Sequence, residues 1–284
     1  MTVPPQIFAR DVYRARRARA AHLPADRFLV AEAAEGVAER IGAVNRRFRN
    51  ALELSSRQES AWALTPVAES WTRLSLSGAE PGDAVGDEEA LPFAPESFDL
   101  IASVLSLHAV NDLPGALLQI RRALKPDGLF VAALFAGDTL LELRESFAQA
   151  EETVRGGISP RVAPFADVRS LGGLLQRAGF ALPVADAERT QVRYRDPLRL
   201  FADLRAMGET NCLIERETRP LTKSLIAALF GAYGARAEEG RLPATFDIVY
   251  LTGWAPHDSQ QKPLKPGSAT ARLADALGTD EKSV

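Results

Sequence analysis

The chain is expected to fold as an α/β protein: a doubly wound, mostly parallel sheet with helices on both faces. Three observations lead there. Phe98 to Val104 (FDLIASV) is short, apolar and bounded by turn residues, the pattern of a strand buried on both sides. An amphipathic helix follows, then a Lys125-Pro126-Asp127-Gly128 turn and a second apolar strand, Leu129 to Phe135. Strand-like and helix-like stretches alternate along the chain, as parallel pairing through helical crossovers requires.

Taken in order, residues 1 to 23 read as a basic helix. Ile7, Phe8 and Val12 can dock it, and Arg10, Arg14 and Arg17 share a face by i, i+4, i+7 spacing. That face is either solvated or meets an acidic partner or a membrane surface. Residues 26 to 45 give a second helix, capped by Asp26, with Phe28, Leu29, Val37, Ile41 and Val44 at helical spacing. Asn50 to Leu54 is the first strand, residues 58 to 65 a short helix ended by Pro66, and Ser70 to Leu76 the second strand. Gly78 to Gly86 is a loop holding a very short third strand. After Val104, Asn111 or Asp112 caps a helix whose first turn suits Pro114 and whose apolar face is Leu117, Leu118, Ile120 and Leu124.

Asp138 or Thr139 is expected to cap a helix to about Val154, and Val168 to Ala178 forms another, closed by Gly179. Ala181 to Tyr194 is extended, Leu198 to Met207 and Leu221 to Glu238 are helical, and Thr245 to Trp254 is the final strand. The last two strands fit a terminal antiparallel pair. The organisation is then N-terminal helices over 1–46, one domain over 47–257 with a helical insert near 197–240, and a polar, mobile tail over 258–284.

The 284 residues, 46% hydrophobic and 25% charged, suffice for one substantial core. A formal net charge of -3 leaves no basic field of the kind that recruits nucleic acid. The single cysteine, Cys212, excludes an internal disulfide framework and a cysteine-built zinc site. His22, His108 and His257 lie too far apart in sequence to suggest a metal-ligand pair. No apolar run reaches the ~18 residues that mark a membrane-spanning helix, and the first residues lack a secretory apolar core. A cytoplasmic protein is the simplest expectation.

Several motifs carry a closer likeness. Asp87-Glu88-Glu89-Ala90-Leu91-Pro92-Phe93, Ser103-Val104-Leu105-Ser106-Leu107-His108 and Asn111-Asp112-Leu113-Pro114 are three of them. Phe135-Ala136-Gly137-Asp138-Thr139-Leu140, Ser159-Pro160, Pro164-Phe165, Met207-Gly208-Glu209 with Asn211-Cys212, and Pro243-Ala244-Thr245 are others. Together they resemble a Rossmann-like class I S-adenosylmethionine (SAM)-dependent methyltransferase. Within that class they resemble the respiratory complex I assembly factor of methyltransferase fold and its bacterial relatives. The likeness covers residues 6 to 270.

The resemblance implies a seven-stranded, mostly parallel sheet with an antiparallel last strand, a SAM site, and arginine hydroxylation of an iron–sulfur subunit of complex I during assembly. It implies a bacterial cytoplasmic place, at the inner membrane surface through the Arg-rich helix, or the mitochondrial matrix in a eukaryote. The positions that would meet SAM are Glu53, Ser55, Asp87, Glu88 and Ser103, with Asp87 as the adenine contact. His108 and Asp138 fall after the fourth and fifth strands, at the mouth, as candidate catalytic residues: a general base or substrate contacts.

Two of the usual cofactor features are missing. The turn after the first strand reads Leu54-Ser55-Ser56-Arg57-Gln58, with no glycine to let backbone approach the ligand. The second strand ends Leu74-Ser75-Leu76-Ser77, without a carboxylate for the ribose hydroxyls. The combined loss is on the order of 3 to 5 kcal/mol, enough to turn a micromolar site into a millimolar one. Three functions therefore compete: an assembly factor that modifies or holds an iron–sulfur subunit, a SAM-dependent methyltransferase of a small or carrier-bound substrate, and a non-catalytic interaction module.

Overall fold

The computed structural model describes residues 6–24 and 26–261. Two helices open the chain, α1 (Arg10–Ala21) and α2 (Phe28–Gly42). Then come β1 (Phe48–Leu54), α3 (Gln58–Leu64), β2 (Ala68–Ser75), β3 (Ala84–Val85) and β4 (Phe98–Val104). They are followed by α4 (Leu113–Ala123), β5 (Leu124–Ala136), α5 (Leu141–Arg155), α6 (Val168–Arg177) and β6 (Ala181–Tyr194). α7 (Pro197–Met207) and α8 (Lys223–Gly234) lie between β6 and the final strand, β7 (Leu242–Trp254). The tail expected from residue 258 lies, from 262 onward, outside the described residues, as do residues 1–5 of the basic start.

One seven-stranded sheet runs in the order β3-β2-β1-β4-β5-β7-β6. β1, β2, β3, β4 and β5 pair in parallel, and β7 runs antiparallel to both β5 and β6. This is the expected doubly wound sheet with an antiparallel last strand. Its connections reverse direction between β1 and β4, so the crevice for a ligand opens at the carboxyl ends of those two strands.

Strand alternation builds the two cores. Leu129, Val131, Ala133 and Phe135 of β5 join Leu100, Ala102 and Val104 of β4 under α2, α5, α7 and α8. Phe130, Ala132, Leu134 and Ala136 join Ile101 under α4 and α6. Every residue of β4 is buried, as its apolar run requires. A third cluster unites Phe8 and Tyr13 of the N-terminal segment with Leu76, Ala109, Cys212 and Leu213, and so seats α1 across the strand ends.

Local chemistry differs from expectation at a few points. Asp112 caps α4 by accepting from Gly115 N, whereas Asn111 instead accepts from the amides of Ile7 and Phe8. In the turn after α4, Asp127 takes the left-handed conformation, with φ 62°. β5 begins directly at Leu124, with an irregularity in its pairing before Leu129. Neither Asp138 nor Thr139 caps α5, whose N-cap is Leu140. Asp138 N donates to Asp247 at 2.9 Å, and the Thr139 hydroxyl donates to the Ala136 carbonyl at 2.7 Å. Asp26 does not cap α2, which starts from Arg27 without a side-chain cap.

Candidate functional site

The strand-end crevice is built around the turn after β1. Glu53, at the end of β1, is fully buried. It accepts from the Ser60 hydroxyl and from Arg73 Nε at 3.2 Å. Burial pushes its carboxyl above the usual range, against the hydrogen bonds from Ser60 and Arg73. Ser55 adopts φ 49°, the left-handed conformation that glycine takes without strain. Its hydroxyl donates to Glu88, itself fully buried.

Arginines of the chain reach into this crevice. The i, i+4, i+7 face of α1 expected to be solvated, or to meet an outside acidic partner, instead meets acids of its own chain. Arg17, with no exposed side-chain surface, donates to Glu80 Oε1 at 2.7 and 2.9 Å and to the Ser55 carbonyl at 3.1 Å. Arg10 donates to Asp87 at 2.7 Å and Glu88 at 2.5 Å, and Arg14 adds a contact to Asp87 at 3.2 Å. Arg57, in the turn after β1, crosses the crevice. It donates to the Met207 carbonyl at 3.0 Å, the Leu105 carbonyl at 2.8 Å and Glu209 at 2.7 Å.

Burial opposes the charge on Arg17 and Arg10, but their carboxylates outweigh it and hold both above the ordinary guanidinium value. Asp87 is correspondingly held below the usual carboxylate range by Arg10, against its own burial.

Glu209 joins this lattice to a cavity. Burial would raise its pKa, yet the charge and hydrogen bond of His108, with the charges of Arg57 and Arg17, bring it down to about 2. With Glu209 ionised, His108 Nε2–H donates to it at 2.9 Å. The His108 ring lies 5.0 Å from Phe135 and 6.0 Å from Phe165, centroid to centroid.

Beyond it opens a cavity of about 520 Å³, floored by Phe135, Leu143, Phe147, Phe165 and Phe246 and edged by Arg16, Arg161, Arg205, Arg216 and Cys212. Burial pushes the Cys212 thiol up to about 11, which keeps it protonated at neutral pH. Among the described residues no group of three or more His, Cys, Asp or Glu is placed to hold a metal ion.

The residues singled out from sequence are thus distributed unevenly. Ser55, Asp87 and Glu88 meet in one lattice through Arg10, and Glu53 lies beneath it against Ser60 and Arg73. His108 lines the cavity and reaches the lattice through Glu209. Ser103 pairs with Ser106 at 2.9 Å inside the core. Asp138 stands apart from the cavity lining, in a surface pair with Arg189 at 2.7 Å in which both side chains are more than half exposed. Arg17 was expected only on a solvated, partner-facing or membrane-facing helix face, and Arg57, Glu80 and Glu209 carried no expected site role. The available signals were an arginine in the turn after β1 and the Met207-Gly208-Glu209 motif.

Residues 41–132 match the model of a methyltransferase domain. The structure resembles the YcgJ protein of Bacillus subtilis, with TM-score 0.52, 14% identity, and coverage of 79% of this chain and 98% of that one. It also resembles the phosphoethanolamine N-methyltransferase 2 of Haemonchus contortus, solved in complex with SAM. There the TM-score is 0.50 and the identity 14%, over 86% of this chain and 60% of that one. Fold and domain place the chain among the class I SAM-methyltransferase-like proteins. Within that class, a relative from Danio rerio, the mitochondrial arginine-hydroxylase NDUFAF5, is 40% identical over 266 residues, 87% of this chain and 81% of its own length. The chain belongs to the NDUFAF5 family.

Proposed function

We propose that this chain serves the assembly of a respiratory complex I-type enzyme by binding an iron–sulfur subunit, and that it does so without methyl transfer. The observation that carries this reading is the lattice of Arg17, Arg57 and Arg10 with Glu80, Glu209 and Glu88, which fills the crevice where this fold receives SAM. The residues present do not fit that cofactor. Ser55 and Glu88 are turned to each other and to Arg10, the Ser55 carbonyl is taken by Arg17, and the Arg57 side chain crosses the turn. Admitting a ligand means parting buried ion pairs, at about 3–5 kcal/mol for each charge left alone. That weakens binding by about a hundredfold or more.

The relatives' name supplies arginine hydroxylation as the modification of the bound subunit, and no residue here is assigned an oxygen-transfer step. The second reading, SAM-dependent methyl transfer, is favoured by the match to a methyltransferase domain. It requires Arg17 and Arg57 to leave their present partners. No helix among the described residues is long and apolar enough to cross a membrane. Binding at a membrane-attached assembly intermediate would therefore rest on the protein partner and on the part of the basic helix left exposed, Arg14 and Arg19.

Deleting the gene in its own host and measuring assembled complex I tests the function. Loss of the assembled enzyme is expected, and unchanged complex I content and activity would contradict it. Peptide mass spectrometry of the iron–sulfur subunit then separates the two modes of action. An arginine heavier by one oxygen that disappears on deletion establishes modification, and no such arginine in either strain establishes holding.

A further inference from the structure

We propose that the cavity beside His108 is a binding site for a small organic anion with an aromatic or aliphatic body, its acid group held by Arg16 and Arg216. Nothing in this site depends on whether SAM binds. The volume of about 520 Å³ falls in the range of small-molecule pockets, roughly 300–1,000 Å³. Phe135, Phe165 and Phe246 supply the apolar floor such a body requires.

The charges decide its sign. Four arginines line the cavity against two carboxylates, Glu209 and Glu217, and both carboxylates are already held. Glu209 meets His108 and Arg57, and Glu217 meets Arg219 at 2.6 Å. Arg161 is likewise engaged, with Glu151.

Arg16 is different. Its Nη1 is buried without a hydrogen-bond partner among the described residues. Burial holds its guanidinium below the ordinary value, with the Cys212 side chain opposing and the nearby charges of Arg216 and Arg19 adding to the effect. Nδ1 of His108, in the same lining, is also buried and unpartnered. The part-buried Arg16 guanidinium, beside the like charge of Arg216, gains from an anion, and a carboxylate supplies the acceptor that Arg16 Nη1 lacks.

Isothermal titration of 1-naphthoate, 1-naphthamide and 1-naphthylmethylammonium into the full chain tests the site. Naphthoate is expected to saturate with Kd below about 1 mM, the amide to bind at least about tenfold more weakly, and the cation not to bind. Acetate, an anion without the body, is expected not to bind. Arg16→Gln should weaken naphthoate about tenfold. Arg169→Gln, on the exposed face of α6 and outside the cavity lining, should leave the affinity unchanged. Failure of naphthoate to saturate by about 5 mM, equal affinity for anion and cation, or wild-type affinity in a folded Arg16→Gln variant would each overturn the proposal. The comparison of anion with cation on the wild-type chain decides the matter even if that variant does not fold.

Discussion

Around the ends of β1 and β2, Arg10, Arg17 and Arg57 each meet a carboxylate of the same chain. Around Phe135 and Phe246, Arg16 and Arg216 edge an apolar cavity, and among the described residues neither makes an ion pair. The two regions lie at the same end of the sheet's strands and touch at His108 and Glu209. Both bury charge, and buried charge is costly unless paired. Where the pairing is internal, a ligand has to compete with the protein's own side chains. Where it is missing, a ligand of the right sign completes the structure.

The contrast predicts unequal responses to substitution. Arg17→Met should cost the most, about 3–5 kcal/mol of folding stability in denaturant titration, because it leaves Glu80 buried without its cation. Arg17→Met combined with Glu80→Leu should recover most of that loss, and no recovery would show that the pair is not the source of the cost.

Glu209→Gln comes next, at about 1–3 kcal/mol at pH 7, since the amide keeps part of the hydrogen bonding. Its pH dependence sharpens the point. Glu209 is held down to about 2 in the folded state. Its contribution is therefore fully present above the unfolded value of about 4.3 and is lost as pH falls toward 2. The wild-type chain should lose stability over that window, and the Gln variant should show a shallower acid limb. Identical acid limbs would mean that Glu209 is not held as described. The smallest effect belongs to the cavity side. Phe165→Ala, at a half-buried ring, should cost only about 1–2 kcal/mol while removing part of the floor.

Much of the fold was legible in the sequence. β4, α4 and β5 announce themselves through an apolar run, helical spacing and a turn, all local signals. The mostly parallel sheet and its terminal antiparallel pair were readable from those elements, but the order of the strands was not a local signal. The site was less legible, because its contacts are long-range. Glu80 lies 63 residues from Arg17, and Glu209 lies 152 residues from Arg57. No periodicity reports such pairs.

The basic face of α1 shows the difficulty. Arginines at i, i+4, i+7 have the same spacing whether they face water, a partner or the interior. Burial of Phe8 and Tyr13 beside Leu76 and Leu213 settles the direction, and that packing is tertiary. Asp138 illustrates the converse. It has the type and position of a helix cap, but Asp247, 109 residues away, takes its amide, and Arg189 takes its side chain. What the sequence did carry for the site was a turn after the first strand reading Ser55-Ser56-Arg57, where a SAM site would be expected to have glycine.

Isothermal titration of SAM into the full chain measures most directly whether the strand-end crevice is closed by its own side chains. The lattice of Arg17, Arg57 and Arg10 predicts no saturable binding below about 1 mM, and a low-micromolar Kd would contradict it.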